Sequence, residues 1–150
     1  MKLLIIIVAT ALSAHAFAGK PTPVINAKVL STFSVIFKDV GSVSWIEESD
    51  CLIAVFKKDH ILYRAMLDKT NGSLLQTIRY YGENNLPPTL LFDLRKKIGK
   101  KEIFGVTEVM TPLATNYIIV VNDAKSMYKI NVDANGNIIS QKKFKRGDAS

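Results

Sequence analysis

Behind Asn26, a residue type that caps helices, the apolar residues Val29, Leu30, Phe33, Ile36 and Phe37 recur at three- and four-residue intervals. That spacing predicts a helix, which Asp39-Val40-Gly41-Ser42 ends. The period then drops to two. Strands are predicted for Val43–Ile46, Cys51–Phe56, Ile61–Leu67 and Leu74–Tyr81, with polar connections between them. Asn71-Gly72, between two apolar runs, is the strongest local hairpin signal, because both residues tolerate positive φ.

The pattern then starts again. Leu86-Pro87-Pro88 opens a second helix with the stripe Leu90, Leu91, Leu94 and Ile98, basic residues Arg95, Lys96 and Lys97 at its end, and Gly99 as its stop. Four more strands are predicted: Ile103–Met110, Tyr117–Val121, Ser126–Val132 and Asn137–Phe144. The halves match in detail. Tyr63, Arg64 and Asp68 fall over Tyr128, Lys129 and Asp133, and after one residue of slip Leu74-Leu75 falls over Ile138-Ile139. The expected fold is α+β: two tandem helix-plus-four-strand repeats, residues 25–82 and 83–146, forming one curved antiparallel sheet with both helices on one face.

Alternation then assigns faces. Tyr63, Ala65 and Leu67 should point toward the helices, as should Tyr128, Ile130 and Val132. The other face would stay open and carry Arg64, Met66, Met127 and Lys129, joined by Arg79, Tyr81 and Lys143 if those strands keep phase. These seven residues are the candidate partner-binding face.

The N-terminus changes the setting. Met1-Lys2 precedes a short apolar run from Leu3 to Leu12, too short for a comfortable membrane span, and Ala16-Phe17-Ala18 fits the small-residue cleavage rule. Residues 1–18 read as a signal peptide cut between Ala18 and Gly19, with a cut after Ala16 as the alternative. Residues 19–24 form a linker, and 147–150 a tail. An exported protein, periplasmic or secreted, is expected. Lipid anchoring is not, because the one cysteine is Cys51, far from the cut.

The chain has 20 basic and 13 acidic residues, for a net charge of +7, and losing Lys2 leaves +6. Such a charge keeps a small domain soluble in the first place and favours anionic partners (membrane headgroups, acidic proteins or anionic glycans), while export argues against nucleic acid. Catalytic chemistry has few candidates. His60 is the sole histidine of the mature chain and lies in a polar connection; Cys51 sits in an apolar run without a basic neighbour to activate it. The carboxylates of Glu47-Glu48-Ser49-Asp50 are adjacent rather than spread across a cleft. Asp133-Ala134-Asn135-Gly136-Asn137 imitates the start of a calcium loop, but Ile138 replaces the required glycine and Phe144 the closing glutamate. No catalytic residue, metal ligand or cofactor is assigned.

The helix, the strand with Trp45, the Asp-x-x-Asn-Gly hairpin, Leu86-Pro87, the Tyr117 strand and the Asp133-Ala-Asn-Gly hairpin together resemble the exported bacterial PepSY-like domains, also described as beta-lactamase-inhibitor-like. The resemblance spans about residues 25–145, and departs from the usual pattern where Lys38-Asp39 follows Phe37 in place of a proline. It implies two tandem repeats sharing one sheet. It also implies a non-catalytic binding module that uses the open face and hairpin loops to grip, inhibit or regulate a cell-envelope enzyme. The alternative is a protein that binds a small ligand or anion. Neither partner nor oligomeric state is specified.

Overall fold

The computed structural model describes residues 23–145, so the export segment with its Ala18–Gly19 cut, and the last five residues, lie outside the described residues. Helix α1 (Ala27–Ile36) starts where Asn26 Oδ1 accepts the backbone N–H of Val29 at 3.0 Å. Strands β1 (Val43–Glu47), β2 (Cys51–Lys58), β3 (Ile61–Asp68) and β4 (Leu74–Tyr81) follow. After a 3-10 turn at Glu83–Asn85 comes α2 (Pro88–Ile98), with proline in its first turn and Gly99 at φ 64° as its stop. Strands β5 (Glu102–Met110), β6 (Thr115–Asn122), β7 (Ser126–Asp133) and β8 (Ile138–Lys145) complete the chain. All eight strands form one antiparallel meander in sequence order, so the two repeats join through the β4–β5 pair.

Both helices lie on one face. Val29 and Phe33 of α1 cluster with Leu52, Ala54 and Phe56 of β2 and with Ala65 and Leu67 of β3. Leu90, Leu94 and Ile98 of α2 cluster with Val106, Tyr117, Ile119, Val121, Ile130 and Val132. The duplicated positions solve packing differently. Ala54 pairs with Ala65 beneath a helix that supplies Phe33, whereas Ile119 pairs with Ile130 beneath one that supplies leucines. A large helix residue over a small sheet residue, and the reverse, both keep the core filled.

Each closing hairpin is fastened to its own helix. In the β3–β4 hairpin Asn26 Nδ2 donates to Lys69 O at 2.6 Å, and Gly72 lies so close to Lys28 that a Cβ would meet its carbonyl carbon at 2.8 Å. In the β7–β8 hairpin Lys97 Nζ donates to Gly136 O at 2.5 Å, and the space beside Gly136 is open to 3.8 Å. Positive φ at Gly72 (77°) is not shared by Asn71. The turn with two left-handed residues is instead Asp59-His60, φ 51° and 64°, which places His60 at an exposed hairpin tip.

Candidate binding face

Cross-strand register fixes which side chains share a face, because a shift of one residue sends every side chain to the other side. On the face without helices, Val55, Arg64, Ile78 and Val109 stand in one row across β2 to β5. A second row runs Leu62, Tyr80, Thr107, Ile118, Asn131 and Ser140. A third runs Val120, Lys129 and Lys142, and Met66 and Met127 lie on the same side beside Ile53 and Phe144. Arg64, Met66, Met127 and Lys129 are therefore where alternation puts them.

Arg79, Tyr81 and Lys143 are not. Arg79 pairs with Tyr63, Tyr81 with Val106 and Lys143 with Tyr128, all on the helix-bearing side. A bulge is responsible in each repeat. Register shifts between Met66 and Leu67, so that Leu74 faces Leu67 while Gln76 faces Met66, and Leu75 is the extra residue. The same happens between Asn131 and Val132, with Ile139 as the extra residue. One inserted residue inverts the phase of the rest of its own strand. Ile78 and Tyr80 of β4, and Lys142 and Phe144 of β8, take the places on the helix-free face instead.

An antiparallel sheet covered on one side ordinarily turns polar residues to the other. Here about half of the residues on the uncovered side are apolar. Tyr80 (37% exposed) and Phe144 (40%) lie bare upon it, while Ile53 is only 5% exposed because its neighbours bury it. Four cations, Arg64, Lys129, Lys142 and Lys57 (the partner of Leu62), stand among these side chains and form no ion pair among the described residues. The acids in phase with them occupy strand ends. Asp68 accepts N–H bonds from Thr70 and Asn71, and Asp133 from Asn135 and Asn137, while Glu102 is the first residue of β5. These turn bonds, led by the Asn137 side chain, hold the Asp133 carboxyl below the usual carboxylate range. They also explain the calcium-loop imitation as hairpin chemistry.

Cys51 belongs to this face too, opposite Asp68. Burial, then the charges of Glu48, Asp50 and Asp68, push its thiol pKa up, which disfavours the reactive thiolate.

The helix-bearing side holds a polar cluster at the joint between repeats, and Glu108 is the residue that alternation did not single out. Its side chain is 5% exposed and lies opposite Arg79, whose Nη1 donates to Oε1 at 3.1 Å and Oε2 at 3.3 Å. Tyr81 Oη also donates to Glu108, and the Arg79 guanidinium lies 5.5 and 5.1 Å from the Tyr63 and Tyr81 ring centroids. Burial first, then the Glu108 carboxylate, raises the Tyr81 and Tyr117 pKa values. Its signal in the sequence is a glutamate in phase with the core residue Val106. Among the described residues no group of three or more His, Cys, Asp or Glu is placed to hold a metal ion. Nor is any helix among them long and apolar enough to cross a membrane.

This architecture is shared with known structures. A BLIP-like protein from Bacteroides fragilis superposes with a TM-score of 0.66 at 16% identity, over 85% of this chain and 92% of its own. The chain has the BLIP-like fold. A DUF2874 family protein from Bacteroides ovatus matches with a TM-score of 0.65 at 17% identity, over 81% of this chain and 89% of its own. Another DUF2874 family protein, from Bacteroides uniformis, gives 0.63 at 16%, over 79% and 88%. No family model and no curated protein matches the sequence. The expected two-helix, single-sheet fold with both helices on one side is thus observed, and at these identities the likeness is one of fold.

Proposed function

We propose that this chain is a non-catalytic exported binding module whose helix-free sheet face docks on a cell-envelope protein, inhibiting or regulating it. The observation that carries the reading is the composition of that face. The sheet holds Leu62, Ile78, Tyr80, Ile118 and Val120 in fixed register with unpaired cations, and no helix among the described residues packs over them. Partly exposed apolar side chains grouped on an uncovered sheet face suit an interaction site, and their aromatic, Met and Arg content fits an interface. The N-terminal pattern of residues 1–18 supports an exported setting.

The test is chemical cross-linking of the mature protein in envelope extract, with cross-linked sites mapped by mass spectrometry. The expected result is one protein joined near β3–β7, lost in both Ile118→Glu and Lys129→Glu; the second variant changes a surface side chain and spares the core. An adduct retained at wild-type level in both would reject the reading.

A second reading, anion binding, has its own observation. Tyr128 is flanked by Lys101 and Lys143, with nitrogens 5.5 and 5.6 Å from its ring centroid, beside a hollow of about 80 Å³ that Lys97 and Gln141 also line. Titrating inorganic phosphate or phosphatidylglycerol vesicles at low salt should shift the Tyr128 resonances, and their constancy would remove this reading.

A further inference from the structure

The helix-free face has a charge pattern as well as an apolar surface. Arg64 on β3 and Lys129 on β7 are equivalent positions of the two repeats, and Lys142 pairs directly with Lys129. The row containing Arg64 reaches β7 at Asp133, four residues from Lys129. Four strand spacings of about 4.8 Å, combined with four residues of about 3.4 Å, separate the two cations by about 23 Å. Between them lie Ile78, Tyr80, Thr107, Ile118 and Val120, of which Thr107 alone is polar. The acids that share the face, Asp68, Asp133 and Glu102, stand at strand ends, so the charged residues between them are all basic.

We infer that the occupant is an extended, acidic polypeptide segment, laid diagonally over the strands with an apolar centre and a carboxylate near each end. This deepens the reading of the face as a protein-docking surface, and rests on it. At about 3.3 Å per extended residue, 23 Å corresponds to two acidic positions about seven residues apart. The apolar residues between them supply desolvation, and the cations at each end fix register and suppress basic competitors. A partner without acids would leave Arg64, already half-buried, with its charge further desolvated and unpaired.

The probe is a phage-displayed library of random dodecapeptides selected on the wild-type mature protein. Recovered peptides are then synthesised and titrated by fluorescence anisotropy against wild type, Arg64→Glu and Lys129→Glu, each checked for native circular dichroism. The expected result is enrichment of peptides with two acidic positions six to eight residues apart around an apolar centre. Each charge reversal should weaken binding about tenfold, and the double reversal should make basic peptides the better ligands. Enrichment of peptides without acids, no enrichment at all, or titration curves unchanged by either reversal would overturn the inference. So would phosphatidylglycerol vesicles binding through Arg64 and Lys129 more tightly than any peptide. The two proposals fail separately: cross-links on the face to a partner segment lacking acids would keep the docking reading and discard the acidic occupant.

Discussion

Gly72 and Gly136 occupy matching hairpins at nearly the same backbone conformation, φ 77° and 83°, but only Gly72 is wedged against a helix backbone. Alanine at either position must hold a left-handed conformation, which costs about 1–2 kcal/mol, partly offset by about 0.4–1 kcal/mol from a less flexible unfolded chain. Gly136→Ala should therefore cost about 1 kcal/mol. At Gly72 the new Cβ would also meet Lys28 C, O and Cβ at 2.8, 2.9 and 3.0 Å. Backbone atoms cannot rotate away, so the hairpin or α1 must shift, loosening the Asn26–Lys69 bond. Overpacking of this kind adds about 1–3 kcal/mol, for a total of about 2–4 kcal/mol. Urea unfolding followed by the single tryptophan is a suitable assay, since Trp45 packs edge-on to Phe33 in the first core. Equal destabilisation by the two substitutions would refute the claim that the β3–β4 hairpin is clamped onto α1.

Removing one partner of the buried pair, as in Glu108→Ala, should destabilise by about 3–5 kcal/mol, because Arg79 keeps its charge in a partly buried joint. Chemical denaturation measures this, and a loss below 1 kcal/mol would mean that water replaces the carboxylate. The raised pKa values of Tyr81 and Tyr117 set the sign of an alkaline effect. Both phenols ionise at higher pH in the folded state than in the unfolded chain, which ionises near pH 10, so their contribution is complete below about pH 10 and is lost as pH rises beyond it. Absorbance at 295 nm should show Tyr81 and Tyr117 ionising at higher pH in folded than in urea-unfolded protein; a titration of these two unchanged by unfolding would contradict it.

Much of this fold is legible in the chain because its two periods are clean. Leu90, Leu94 and Ile98 keep helical spacing, Tyr128, Ile130 and Val132 keep strand spacing, and the repeat makes each half a check on the other. Illegibility begins at the bulges. Leu75 and Ile139 are apolar residues in apolar runs, and nothing local distinguishes an inserted residue from a paired one. Yet each inverts the faces of the rest of its strand, which is why Arg79, Tyr81 and Lys143 lie opposite to their expected side. Glu108 was hidden for a related reason: its partner Arg79 is 29 residues away, and only the β4–β5 register brings them together. His60 shows the converse. Its left-handed turn was masked by the stronger Asn-Gly signal nearby, although its place in a polar connection was plain.

The central claim, that the helix-free face is the working surface, is tested most directly by site-specific photo-crosslinking in living cells. A photoreactive residue is placed in turn at Ile118 on that face and at Phe92, which is exposed on α2. The account predicts a discrete adduct from position 118 and none from position 92. An adduct from position 92 with none from 118 would contradict it.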